Sequence, residues 1–189
     1  MLQDAWDAVV DVAANTPHAS QQLLVEILCA VQGEDLSTQF PEKVIVWGER
    51  VKMFEDLPLF GPSLRTAWNQ IPGSGSQRCF TPEQWTNINA FVARLTALSS
   101  SLPVFDYSLY AIWSLRAVFE ETEVDEALAS AGEVWLQYSR AAIEKLSCAE
   151  KTFEGRLAAP GSKFRDKDWV GFNMERLGIW QAALELHSK

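Results

Sequence analysis

Thr81-Pro82-Glu83-Gln84-Trp85-Thr86-Asn87-Ile88-Asn89-Ala90-Phe91-Val92-Ala93-Arg94-Leu95 decides the fold class. Thr81 before Pro82 places a cap residue ahead of a ring whose fixed φ suits a first helical turn. Gln84, three residues after the cap, completes a capping box. Trp85, Ile88, Phe91, Val92, Leu95 and Leu98 then recur at helical spacing and predict one apolar face.

Outward from that helix the same signals recur. Thr16-Pro17 predicts a second helix start, followed by Leu23, Leu24, Ile27, Leu28 and Val31 at helical spacing. Asp106 predicts the cap of a third helix, running to about Glu120. From Val124 to Leu146, the residues Val124, Leu128, Ala131, Trp135, Tyr138, Ala142 and Leu146 form a stripe, with Glu126, Glu133, Gln137, Arg140 and Glu144 opposite. The last helix is expected from about Lys167 to Leu186. Val44-Ile45-Val46-Trp47 is β-branched enough for a strand, but Val44, Trp47, Val51 and Phe54 keep helical spacing, and a helix is expected. Leu57-Pro58-Leu59-Phe60-Gly61-Pro62 reads as a tight connection, with Ser63 capping a short helix through Asn69. Ile71–Gln77 and Ala159–Lys163 are loops by composition. The expectation is an all-α, single-domain helical bundle of about seven helices over residues 1–189.

Composition narrows the function classes. A chain of 189 residues buries about 70% of its unfolded surface, enough for one core. Apolar residues make up 48% and the net charge is −9, which disfavours nucleic acid and an anionic membrane surface as partners. The longest apolar runs fall far short of the ~20 residues a bilayer requires. Cys29, Cys79 and Cys148 are scattered and odd in number, and no secretory apolar region opens the chain. Reduced thiols and a cytoplasmic location are expected.

The chain holds no phosphate loop, nucleophile elbow, Cys-x-x-Cys or His-Glu-x-x-His motif. His18 and His187 stand near opposite ends, and neither a metal nor a cofactor is expected. Asp4, Asp7 and Asp11 share a helix face, read first as a solvated acidic surface. Residues 120–126 read as a charged turn and lack the pattern of a calcium loop.

The arginines separate by face. Arg140, four residues before Glu144, falls on a polar side. Arg116 and Glu120 flank Trp113 on a helix that is apolar nearly all round, and such a helix belongs at a bundle's centre. In the last helix Asn173, Arg176 and His187 fall inside the arc of Trp169, Phe172, Leu177, Ile179, Trp180, Ala183 and Leu184, with Glu175 at its edge. Buried charges must be paired. Arg116 with Glu120, and Arg176 with Glu175 or another acid, are expected to form an internal cluster among tryptophans. That cluster is either a network tying helices together or the floor of a pocket in which an arginine receives an oxyanion and a carboxylate moves a proton.

Asp56-Leu57-Pro58-Leu59-Phe60-Gly61-Pro62 with Trp68-Asn69, Asn89 to Leu95, Tyr110 to Arg116 with Glu120, Ala131 with Trp135, and Trp169, Phe172, Glu175-Arg176 and Trp180 together carry a resemblance. The chain resembles an uncharacterised fungal family of small, tryptophan-rich helical proteins of unknown function. The resemblance spans roughly Val44 to Leu184 and implies a fungal intracellular origin. It brings no reaction, cofactor or catalytic residue.

Three function classes follow. The first is a small-molecule-binding domain using Trp113, Arg116, Glu120, Asn173, Arg176 and Trp180, with Trp135 a further wall. The second is a cofactor-independent isomerase, cyclase or lyase of fungal specialised metabolism, with Arg116, Glu120, Glu175 and Arg176 as candidate catalytic residues. The third is a protein-interaction or homo-oligomeric module presenting the aromatic loop from Leu57 to Phe60.

Overall fold

In the computed structural model of the chain, residues 2–34, 43–73, 75, 79–125 and 128–187 are described. The chain is predominantly helical, with eight α-helices and one two-stranded sheet among those residues. It divides into two compact units, residues 1–88 and 89–189. The boundary falls inside helix α4 (Pro82–Ala97).

The first unit holds α1 (Leu2–Asn15), α2 (Gln22–Gly33), strands β1 (Val44–Val46) and β2 (Glu49–Val51), α3 (Phe60–Trp68) and the start of α4. The capping box forms as read. Thr81 N–H donates to Gln84 Oε1 at 3.0 Å, and Gln84 N–H donates to Thr81 Oγ1 at 3.1 Å. The face it opens is buried at Trp85, Ile88, Phe91, Val92 and Leu95, but Ala90, Ala93, Asn89 and Thr96 are buried as well, so α4 is enclosed on several sides. α1 packs on α3, with Trp6 against Phe60 and its indole N–H on Pro58 O. Gln21 and Asn87 tie backbone groups together internally. Gln21 Nε2 donates to Ala13 O and Asn87 O, and Asn87 Nδ2 donates to Ala14 O.

Several boundaries in this unit differ from the sequence reading. Thr16 closes α1, donating to Val12 O, and Pro17 opens a single 3-10 turn (His18–Ser20), so α2 starts only at Gln22. Leu23 and Ile27 are exposed, while Val25 and Leu28 are buried. The segment 44–51 is a hairpin rather than a helix, paired Val44↔Val51 and Val46↔Glu49. Trp47 and Gly48 both take positive φ, as a tight two-residue hairpin turn demands, and that turn lets the β-branched run prevail over the helical spacing. α3 begins at Phe60, so Ser63 lies buried inside it and does not cap it. Leu57 and Phe60 are buried, not displayed on a loop.

The second unit holds the rest of α4, α5 (Ser108–Leu115), α6 (Ala129–Tyr138), α7 (Arg140–Cys148) and α8 (Met174–His187). Asp106 Oδ1 accepts from Ser108 N–H and Oγ at the entry to α5. The helix reaches Glu120, but its last five residues, Arg116–Glu120, form a π-turn. The expected helix from Val124 to Leu146 is broken. Ser139, at φ −128°, separates α6 from α7, and its buried hydroxyl donates to Trp135 O. Glu126 lies outside the described residues. α8 starts seven residues later than expected, because residues 167–173 are irregular and Gly171 bridges to Thr152. No helix among the described residues is long and apolar enough to cross a membrane.

Candidate functional site

The second unit brings several predicted residues together, with different partners from those expected. Asn173 is the cap of α8, since its Oδ1 accepts from Arg176 N–H at 2.8 Å. Capping there turns Arg176 inward. Glu120 arrives from the end of the π-turn, and both side chains are fully buried. Arg176 Nε donates to Glu120 Oε1 at 2.7 Å and Nη2 to Oε2 at 3.1 Å, a bidentate fork. Nη1 donates to Ala158 O and Gly171 O, and Nη2 also to Ala159 O at 3.4 Å.

A guanidinium has five N–H donors, and these bonds occupy all of them. Glu120 is equally committed. Oε1 also accepts from Trp180 Nε1 at 2.8 Å, and Oε2 from Gly161 N–H at 2.8 Å, so each oxygen takes two donors. Trp169 and Trp180 flank the guanidinium, each ring centroid 5.3 Å from Cζ. A Cβ on Gly161 would stand 2.6 Å from Glu120 Cβ and backbone O, so glycine is required for this approach.

The remaining predicted residues form an outer ring. Arg116 is half-buried and does not pair with Glu120; its Nη1 donates to Ala159 O at 3.1 Å. Trp113 is half-buried, with Nε1 on Leu157 O and its ring edge-on to Tyr110. Glu175 is exposed and does not pair with Arg176. It accepts from Lys167 Nζ and Trp169 Nε1, and the Lys167 hydrogen bond holds its carboxyl below the ordinary value. The cause is geometric: Glu175 and Arg176 are adjacent in α8 and point about 100° apart, so only one faces inward. Together Trp113, Arg116, Glu120 and Arg176 hold the backbone of residues 157–161 through side-chain hydrogen bonds. Beside them, burial alone would raise the Glu121 carboxyl. The Ser162 hydrogen bonds and the charges of Arg116 and Arg165 bring it below the ordinary value instead.

Chemically, the buried centre is a lock. Its donors and acceptors are spent on one another and on backbone, and neither charged residue reaches solvent. Trp135 belongs to a different buried group, donating to Asn89 Oδ1, which also accepts from Ser114 Oγ. The sequence reading missed Asn89, Gln21 and Asn87 as buried polar anchors. Their signal was an amide placed on a strongly apolar helix or beside a cap. It also missed Lys151, whose ammonium donates to Asp106 Oδ2 and Ser108 Oγ at the start of α5. The His187 side chain lies outside the described residues. Among those residues, no group of three or more His, Cys, Asp or Glu is placed to hold a metal ion. Asp4 and Asp7 are exposed and Asp11 is half-buried, so the expected solvated acidic face holds at two of its three positions.

A predominantly helical chain whose second unit closes on a saturated Arg–Glu pair among tryptophans is the class defined by this geometry. A family model described as a protein of unknown function (DUF3632) matches residues 6–184, and the chain belongs to that family. No curated protein and no solved structure matches.

Proposed function

We propose that the chain is a binding domain for a small organic acid, received on the outer face of the second unit by Arg116 and Trp113. The observation that carries this reading is the contrast between two arginines. Arg176 has spent every donor. Among the described residues Arg116 commits one N–H, to Ala159 O, and the residue is half-buried, as is Trp113 one turn before it. A carboxylate presented there would gain a charge-assisted bidentate contact, and the Tyr110–Trp113 ring pair supplies apolar surface for its organic part. Arg116 and Arg165 both bear electrostatically on the Glu121 carboxylate beside this face.

The enzyme reading draws no support from the cluster, because its acid–base candidate Glu120 has no access to a substrate. The interaction-module reading loses the feature that favoured it, since Leu57 and Phe60 are buried. A cytoplasmic, fungal setting, implied by the cysteine pattern and the family resemblance, belongs to this proposal.

The test is a tryptophan-fluorescence titration with benzoate and 1-naphthoate, with benzamide as the neutral control. Saturable quenching by the acids, absent with benzamide and weakened at least tenfold in Arg116→Met, is expected, with the melting temperature of that variant lowered by only a few degrees through loss of the Ala159 bond. No saturable response to either acid, or equal binding by Arg116→Met, overturns the proposal.

A further inference from the structure

The first unit displays two apolar features. On α2, Val25 and Leu28 are buried, and the opposite side of the helix carries Leu23, Ile27 and Ala30, with Leu23 66% and Ile27 53% exposed. On the hairpin, Ile45 is 71% and Trp47 79% exposed. We infer that these features are two halves of one interface, in which the hairpin of one copy of the chain lies on α2 of a second copy and the contact is returned across a two-fold axis. The inference goes beyond the acid-binding reading of the second unit and does not rest on it.

Neither feature is used by the unit's own packing. Leu23, Ile27 and Ala30 recur at the spacing of a buried stripe, yet the face that α2 buries is the other one. A stripe of this kind marks a docking surface rather than scattered exposure. The hairpin has the same asymmetry. Val44, Val46 and Val51 are half-buried on one side, while Ile45 stands opposite Arg50 on the other. Trp47 takes a φ of 52° in the turn, a conformation that suits Asn or Gly and disfavours a bulky side chain. The turn gives up local stability to present an indole to solvent.

Charge decides what covers them. Residues 1–88 carry five Lys and Arg against eleven Asp and Glu, but residues 43–52 hold three of the five, Lys43, Arg50 and Lys52, with Glu49 the one acid. Lys52 pairs with Glu55, and Arg50 stands beside Ile45 on the exposed face. α2 has Glu26 at the edge of its stripe and no Lys or Arg. Two copies at net charge −9 repel unless a basic surface of one meets an acidic surface of the other. Hairpin on α2 meets that condition: Ile45 and Trp47 cover Leu23 and Ile27, and Arg50 reaches Glu26. Helix on helix would oppose Glu26 to itself, and hairpin on hairpin would oppose Arg50 to itself. Gln32 Nε2 donates to Glu55 O at 3.5 Å, joining the last turn of α2 to the chain just after β2, so both halves ride on one body. A two-fold axis then closes the assembly with neither half left over, whereas a head-to-tail chain leaves one half open at each end.

Sedimentation velocity of the full chain at micromolar concentrations tests the interface, and a closed dimer is expected. Ile27→Glu puts a charge into the helix stripe. Trp47→Asn removes the indole and keeps the turn, since Asn-Gly is the pair that this turn prefers. Each variant alone should dimerise at least tenfold more weakly, with wild-type circular dichroism, because both positions are exposed. Mixed, the two should associate with each other more tightly than either does with itself, since the hairpin of the Ile27→Glu chain meets the intact α2 of the Trp47→Asn chain. Glu26→Arg and Arg50→Glu should each weaken the dimer, and the two together should restore it. A monomer at every concentration, loss in only one of the first two variants, a mixture no tighter than its components, no restoration by the charge swap, or a mass that grows past the dimer overturns the inference. None of these readings involves Arg116 or an acid ligand, so failure here and failure of the acid-binding proposal are separately read.

Discussion

Arg176→Met is the most informative single change in the second unit. Methionine approximates the length of the arginine stem and keeps the hydrophobic contacts with Trp169 and Trp180, so the change removes charge and donors with little loss of volume. It leaves the Glu120 carboxylate buried with only Trp180 Nε1 and Gly161 N–H as donors. Breaking a buried pair from one side costs about 3–5 kcal/mol. Against a total stability of about 5–15 kcal/mol, that is a large share. At about 2–4 °C per kcal/mol for a chain of this size, the melting temperature should fall by at least about 6 °C. Urea unfolding followed by far-UV circular dichroism measures the loss directly.

The companion double change, Glu120→Leu with Arg176→Met, separates two accounts of the same pair. An isolated buried ion pair replaced by apolar side chains often leaves stability unchanged or higher. Here the pair also satisfies backbone and indole groups. Removing both partners strands Trp180 Nε1 and Gly161 N–H as donors, and Ala158 O and Gly171 O as acceptors. Each buried orphan costs about 1–3 kcal/mol, so the two donors alone keep the double variant about 2–6 kcal/mol below the wild type. The two single losses should sum to more than the double loss, because both remove the same bonds. Arg176→Met within about 1 kcal/mol of the wild type, or a double variant as stable as the wild type, would refute this reasoning.

Asn89→Leu should cost about 2–6 kcal/mol, since Trp135 Nε1 and Ser114 Oγ both lose their buried acceptor; chemical denaturation measures it. Gly161→Ala should lower the melting temperature and disturb the indole environment of Trp180, read by fluorescence, because the new methyl group overlaps Glu120. Burial alone would raise the Asp106 carboxyl, but hydrogen bonds from Lys151 and Ser108 hold it below its ordinary 3.8. A depressed folded-state pKa stabilises above the unfolded value and loses that contribution as the pH falls through the folded one. The stability gap between the wild type and Lys151→Met should therefore be flat from neutral pH to about 4 and shrink below it. With the Asp106 side chain 41% exposed, solvent screening keeps the gap small.

What the sequence made legible follows from the range of each interaction. The capping box at Thr81–Gln84 closes over three residues and is legible; at α5 Asp106 accepts from Ser108 N–H, but the cap position falls one residue later, at Tyr107. Charged residues in apolar arcs announced Glu120 and Arg176, because only a paired charge tolerates such a face. Their pairing was not legible. It joins residues 56 apart, while nearer candidates, Arg116 for Glu120 and Glu175 for Arg176, satisfied the same local rule. Helix ends failed where tertiary contacts set them. Helical spacing continues through Ser139 and from Lys167 to Asn173, yet a buried serine breaks the first and the Thr152–Gly171 bridge draws out the second. At Val44–Val51 two periods competed over too few residues, and the positive φ at Trp47-Gly48 decided between them.

The same accounting bears on where function can reside. A buried pair whose donors and acceptors are all taken can hold segments of chain in place, but it has nothing left with which to recognise a molecule. Recognition needs a polar group that the fold positions without consuming. By that criterion Glu120 and Arg176 are the least available of the candidate residues. Arg116 is oriented by one bond to Ala159 O and keeps donors uncommitted among the described residues. The saturated lock and the available arginine also share one scaffold, since both hold the backbone of residues 157–161. Loosening the lock with Arg176→Met should therefore weaken acid binding at Arg116 without touching a ligand contact, whereas Arg116→Met should abolish that binding and leave the lock intact.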